Sequence, residues 1–164
     1  TAQDFARYHP GGSLGRKLID VDQVMRPLSV CRVASSAVSI RSAMVATSQS
    51  GRRTGAVMLV DEQGKLAGIF TDSDLARLLE AREETALDAS IASRMTQEPA
   101  TALSGTLLQD AMALMSQRRI SELPVVDADL KPVGLLDITD LVSLTESRQS
   151  PATVPFVAVP KSSS

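Results

Sequence analysis

The sequence predicts an α+β fold made of two copies of one unit, packed about a pseudo-twofold axis. Three observations carry the prediction. Blocks of sequence recur in one order; each copy switches between helical and strand periodicity; and a single copy is too small to bury much apolar surface alone. The first block, "VMRPLSVCRV", is echoed by "RMTQEPATAL", with Met25 matching Met95. The second, "IRSAMVAT", is echoed by "LQDAMALM", Met44 with Met112. The third, "AVMLVDEQGKLAGIFTDSDLARLL", is echoed by "LPVVDADLKPVGLLDITDLVSL", which pairs Asp61 with Asp127, Gly68 with Gly134 and Asp74 with Asp140.

Each copy opens on a helix. Ile40, Ala43, Met44 and Thr47 follow the i, i+3, i+4, i+7 spacing of one helical face, as do Leu108, Ala111, Met112 and Met115. The methionines on this stripe read as core filling, for which an unbranched thioether is well suited. A short apolar strand follows, "AVMLV" or "LPVV", then a turn, "DEQGK" or "DADLKP", then a second strand, "LAGIF" or "VGLL". These runs lack polar alternation, so both faces of each strand should be buried. A closing helix starts at "TDSDLARLLEA" or "DITDLVSLTES", where Asp, Ser and Thr favour the N-cap and the acids favour the first turn. The units are placed at residues 20–84 and 85–146, with "AREETALDASIAS" as a polar, partly helical connection. Residues 147–164 form a Pro- and Ser-rich tail, read as a loose terminus.

Composition narrows the function classes. The net charge of −2 and the near-absence of aromatics (Phe5, Tyr8, Phe70, Phe156) oppose a nucleic-acid module, which needs a basic face and stacking rings. Cys31 is the sole cysteine, so an internal disulfide is excluded, in keeping with a reducing cytoplasm. With one His, one Cys and no carboxylate cluster, no metal site is expected. No apolar run reaches the length of a membrane span. The chain begins at Thr1, which predicts a piece of a longer protein or a processed chain.

The two copies end in Gly68-Ile69-Phe70-Thr71-Asp72-Ser73-Asp74 and Gly134-Leu135-Leu136-Asp137-Ile138-Thr139-Asp140. Tandem units ending in G-h-h-[T/S]-x-x-D resemble a pair of cystathionine-β-synthase (CBS) domains over roughly residues 20 to 146. The resemblance implies β-α-β-β-α units, a nucleotide bound in the cleft between them, and homodimers formed through the pairs. In the first motif the chain passes from strand to helix at Thr71, where free N–H groups and a hydroxyl can meet a phosphate. Asp74 can accept hydrogen bonds from ribose hydroxyls, and Asp72 lies between them. Thr71 and Asp74 would also serve as helix caps, and that reading stays open. In the second motif Asp137 replaces the hydroxyl residue and would repel a phosphate, so two unequal sites are expected, with Thr139 and Asp140 completing the second. Arg118 and Arg119, and Arg52 and Arg53 at the matching place in the first copy, are candidate sources of positive charge.

Upstream, "DFARYHPGGSLGRKL" fails the general phosphate-loop spacings. Only three residues separate Gly11 from Gly15, and Arg16-Lys17-Leu18 follows. The stretch closely resembles the junction of D-arabinose-5-phosphate isomerases, in which a sugar-isomerase (SIS) domain precedes a CBS pair. The resemblance makes residues 1–19 the end of an SIS domain and its linker, and His9 an active-site residue of the parent enzyme. That enzyme would interconvert D-ribulose 5-phosphate and D-arabinose 5-phosphate, as a tetramer and without a catalytic cofactor, at the entry to Kdo and lipopolysaccharide biosynthesis. The present chain lacks most of the SIS fold and is expected to be inactive alone. The expected ligand is a regulatory nucleotide or nucleotide-sugar, with CMP-Kdo as the candidate feedback effector. Two alternatives remain: an adenosine-nucleotide sensor from another CBS protein, and a dimerisation module without ligand.

Overall fold

The computed structural model describes residues 18–48 and 54–149. His9, Arg52, Arg53, the glycine-rich junction and residues 150–164 lie outside them. Among the described residues eight strands and four α-helices follow in the order β1 (Arg26–Pro27), β2 (Arg32–Ser35), α1 (Ile40–Ala46), β3 (Ala56–Val60), β4 (Leu66–Thr71), α2 (Asp72–Glu80), β5 (Thr96–Gln97), β6 (Ala102–Leu103), α3 (Leu108–Arg118), β7 (Glu122–Val126), β8 (Pro132–Asp137) and α4 (Ile138–Gln149). Each unit is therefore β-α-β-β-α: β2-α1-β3-β4-α2, then β6-α3-β7-β8-α4. The polar connection between them forms two short 3-10 turns, Glu84–Asp88 and Ile91–Ser93.

Local chemistry sets these elements twice over. Ser39 caps α1, its Oγ accepting from Ser42 N at 3.1 Å. In the hairpin of unit 1, Asp61 Oδ1 accepts from the N–H groups of Gln63 and Lys65 at 2.9 and 3.0 Å. Asp127 does the same for Asp129 and Lys131 in unit 2, at 2.9 and 3.0 Å. The turn needs a left-handed residue, which is Gly64 at φ 80° in one unit and Leu130 at φ 64° in the other.

The strands form two mixed four-stranded sheets, ordered β2-β3-β4-β5 and β1-β8-β7-β6. β2 runs parallel to β3, and β6 parallel to β7; the remaining neighbours are antiparallel. The edges are exchanged. β1 precedes the β-α-β-β-α core of unit 1 but pairs with β8, Arg26 opposite Leu135 and Pro27 opposite Gly134. β5 precedes the β-α-β-β-α core of unit 2 but pairs with β4, Thr96 opposite Ile69 and Gln97 opposite Gly68. Glycine makes both crossings: a Cβ on Gly68 would lie 2.4 Å from Met95 Sδ and 2.8 Å from the Thr96 carbonyl oxygen, and one on Gly134 would lie 2.5 Å from Met25 Sδ and 2.6 Å from the Arg26 carbonyl oxygen. The repeated Met and Gly seen in the sequence are thus partners across the pseudo-twofold axis, not within one unit.

Strands β3 and β7 are buried on both faces, as their unbroken apolar runs predict. Val57 and Leu59 pack with Ile40, Ala43, Phe70 and Leu78 beneath the helices of unit 1, and Leu123 and Val125 pack with Leu108, Ala111, Met115 and Leu141 in unit 2. The opposite face of β3 presents Met58 to Leu135 of β8 and to Cys31, joining the two sheets. The methionine stripe departs from the expected core filling at one position. Met115 is buried and Met44 packs against the unit 1 core, but Met112 is 43% exposed because it stands on the rim of an open cleft.

Candidate functional site

Both motifs sit where a strand passes into a helix. In unit 1 this junction is a complete capping box: Asp74 N donates to Thr71 Oγ1 at 3.1 Å, and Thr71 N donates to Asp74 Oδ2 at 2.9 Å. Arg77 takes the other oxygen of the Asp74 carboxylate. The first helical N–H, that of Asp72, donates to the Gly55 carbonyl at 2.8 Å. The capping box engages both Thr71 and Asp74. Asp74 also lines a cavity of about 270 Å³ with Arg77 and Arg94, where Arg94 is ion-paired with Glu83.

In unit 2 Asp137 is buried and caps α4 itself. Its Oδ1 accepts from Thr139 N at 2.9 Å and from the Thr139 hydroxyl at 2.7 Å. A carboxylate at this position is tolerated because the helix start supplies its donors. Asp140 holds Arg26 of the exchanged strand through two bonds, at 2.7 and 3.3 Å. That pairing raises the Arg26 pKa, the hydrogen bond to Asp140 being the largest cause. The Asp140–Arg26 pair pins β1 to unit 2.

Arg118 ends α3 and Arg119 caps it in the left-handed region at φ 53°. Both are exposed. Arg119 lines an apolar cleft of about 360 Å³ between α3 and α4, together with Met112, Met115, Ser116, Ile120, Ile138 and Leu141. The cleft opens beside the second motif, and its size falls in the range of small-molecule sites.

Three charged residues missed from sequence shape the centre of the molecule. Arg32, only 1% exposed, donates to Asp72 Oδ1 at 3.0 Å, to the Thr54 carbonyl at 3.2 Å and to Thr47 Oγ1 at 3.4 Å. Glu122 opens β7, and burial raises its pKa most, followed by the charges of Asp137, Asp72 and Asp74. The helix starts after β4 and β8 thus place Asp72, Asp74 and Asp137 where their charges act on the Glu122 carboxyl. Arg26 is the third. For Glu122 the signal is a charge in one repeat where the other has a small residue, Ala56; the strand registers match Arg32 with Ala100 in the same way.

Among the described residues no group of three or more His, Cys, Asp or Glu side chains is arranged to hold a metal, and no helix is long and apolar enough to cross a membrane.

Comparison with known proteins agrees with this architecture. The chain is 39% identical over 143 residues to arabinose 5-phosphate isomerase KdsD of Pseudomonas aeruginosa, covering 87% of this chain and 43% of that protein. It is 37% identical over 139 residues to the KpsF isomerase of Escherichia coli, covering 84% of this chain and 41% of the relative. The chain thus spans less than half the length of these curated relatives. Among solved structures, CBSX2 in complex with AMP superposes with a TM-score of 0.64 at 25% identity, over 79% of this chain and 97% of that one. The CBS domain pair of protein MJ0100, solved with 5'-methylthioadenosine and S-adenosyl-L-methionine, gives a TM-score of 0.67 at 26% identity, over 80% and 99% of the two chains. The CBS domain matches twice, at residues 21–81 and 89–146, and with both copies in place the chain belongs to the CBS domain family as a tandem pair.

Proposed function

We propose that this CBS pair is the regulatory, nucleotide-binding part of an arabinose-5-phosphate isomerase. The observation that carries the reading is the apolar cleft of about 360 Å³ beside the second motif, with Arg119 on its wall. Apolar walls suit a base, and a guanidinium suits an anionic group attached to it. The relatives support the parent enzyme, and the solved pairs support the ligand class. An adenosine nucleotide is the first ligand to test, because two solved relatives are complexes with adenosine compounds. CMP-Kdo is the second, on pathway logic alone.

In this reading residues 1–19 belong to the end of the sugar-isomerase domain and its linker, 20–84 and 85–146 are the two units, and His9 serves the parent active site. The pair self-associates as a dimer within a cytoplasmic tetramer of the parent enzyme. The isolated chain has no isomerase activity; turnover of D-ribulose 5-phosphate by it refutes that part.

Thermal unfolding with AMP, S-adenosylmethionine and CMP-Kdo tests the ligand. A ligand at a hundred times its Kd adds about 2.7 kcal/mol, a rise of roughly 5–10 °C for a chain of this size. A rise with an adenosine compound alone assigns the adenosine class, and a rise with CMP-Kdo alone assigns the feedback effector. No rise with any of the three favours a dimerisation module without ligand.

A further inference from the structure

The two clefts differ in a coordinated way that the pseudo-symmetry exposes. Ala34 and Ala102 occupy matching positions, since each lies beside a residue (Leu59, Val125) that pairs with the motif glycine. Two residues earlier, Arg32 matches Ala100. Four residues beyond the glycines, Asp72 matches Ile138. Thr54 and Ile120 also match: each precedes the residue whose carbonyl accepts from the first N–H of α2 or α4, at 2.8 Å in both units. On the opening helices Thr47 matches Met115.

Four polar residues in unit 1 therefore become apolar in unit 2, all at one place. In unit 2 Met115, Ile120 and Ile138 line the open cleft of about 360 Å³, with Ile138 39% exposed. In unit 1 the equivalent place holds the Arg32 guanidinium, bonded to Asp72, Thr47 and the Thr54 carbonyl, with Nη2 3.6 Å from Met44 Sδ. Guanidinium is flat, about as thick as a ring, and its donors are met here by protein groups.

We infer that unit 1 carries its own occupant, the Arg32–Asp72 plug, so that each chain takes one flat aromatic ligand and takes it in unit 2. The inference rests on the ligand-binding reading above for the ligand's natural identity, but not for its place or number. The plug also sets selectivity. A ring entering unit 1 would have to displace a fully buried guanidinium from its ion pair with the half-exposed Asp72, whereas one entering unit 2 covers exposed methyl and methylene groups.

The test follows the six methionine methyl groups by NMR with indole as a neutral ring probe, then with AMP. In the wild-type chain indole shifts Met112 and Met115 and leaves Met44 in place, at one equivalent per chain. Ile138→Asp, which puts a charge in the open cleft, weakens that binding at least tenfold. Arg32→Ala with Asp72→Ile, which removes the plug by copying two of the four unit 2 residues into unit 1, adds a second equivalent that shifts Met44. Exchange of an ion pair with a buried member for apolar residues is often tolerated; should this variant not fold, the wild-type and Ile138→Asp results decide. A Met44 shift in the wild type, silence at Met112 and Met115, an unchanged Ile138→Asp titration, or a folded double variant that still binds one equivalent overturns the inference. Indole binding without AMP binding upholds the plug while refuting the nucleotide reading.

Discussion

Replacing Gly68 or Gly134 by alanine tests the edge exchange directly. At Gly68 the added methyl would meet Met95 Sδ at 2.4 Å, Met95 Cγ at 2.8 Å and the Thr96 carbonyl oxygen at 2.8 Å. At Gly134 it would meet Met25 Sδ at 2.5 Å, the Arg26 carbonyl oxygen at 2.6 Å and Met25 Cγ at 2.9 Å. A thioether can rotate away; a carbonyl of a paired strand cannot move without loosening β5 or β1. Overpacking costs about 1–3 kcal/mol, and a backbone contact puts these sites in the upper half, about 2–3 kcal/mol. Alanine restricts the unfolded chain and returns about 0.4–1 kcal/mol. The net loss is about 1–2.6 kcal/mol for each variant, a fall of roughly 2–10 °C in Tm. The two sites share no contacting residue, so the double variant should lose the sum to within about 0.5 kcal/mol. Urea unfolding of both variants, the double variant, Met95→Ala, and Gly68→Ala with Met95→Ala measures this. Because Met95 itself packs against the unit 1 core, the reference is Met95→Ala alone; in that background Gly68→Ala should lose less but not nothing, because the Thr96 carbonyl remains. Single glycine variants within about 0.5 kcal/mol of wild type, or no loss from Gly68→Ala in the Met95→Ala background, would refute the exchanged packing.

Further predictions follow from individual side chains. Because its folded pKa lies above the usual 4.5, Glu122 favours the folded state at low pH, and that contribution is lost as pH rises through the raised value. Glu122→Gln should therefore gain Tm relative to wild type between pH 4.5 and 7; a difference that does not change with pH over that window contradicts the burial of this carboxyl beside Asp137, Asp72 and Asp74. Burial pushes the Cys31 thiol up to about 11, and its Sγ donates to the Pro27 carbonyl at 3.3 Å. Iodoacetamide should alkylate it far more slowly at pH 7.5 than a free thiol, and labelling at the rate of free cysteine would be incompatible with that site. Leu130 is 55% exposed and left-handed where Gly64 stands in the first hairpin, so Leu130→Gly should raise stability by about 0.5–1 kcal/mol. A loss in the same urea assay would show that the side chain contributes more than its backbone strain costs.

The elements were legible because each rests on local information. The period-3.6 stripe at Leu108, Ala111 and Met115, the unbroken run Ala56–Val60, and the aspartates that open both hairpins each act within a few residues. The motif residues were legible as to place but not as to employment. Thr71 and Asp74 suited both a cap and a ligand, and the structure joins them to each other in a capping box. Asp137, whose charge argues against a phosphate, finds its donors at Thr139 and caps α4.

From sequence alone follow the two-unit architecture, the strand-to-helix position of both motifs, and the pairing of like residues between repeats. Only the tertiary structure decided which sheet receives each leading strand, which cleft stays open, and which charges meet. Those outcomes join Met25 to Gly134, Met95 to Gly68, Arg26 to Asp140 and Arg32 to Asp72. Such partners lie tens of residues apart and belong to different periodic segments. A repeat sets which residues are equivalent, but contact depends on how the two sheets cross, and that is settled by packing around the shared axis.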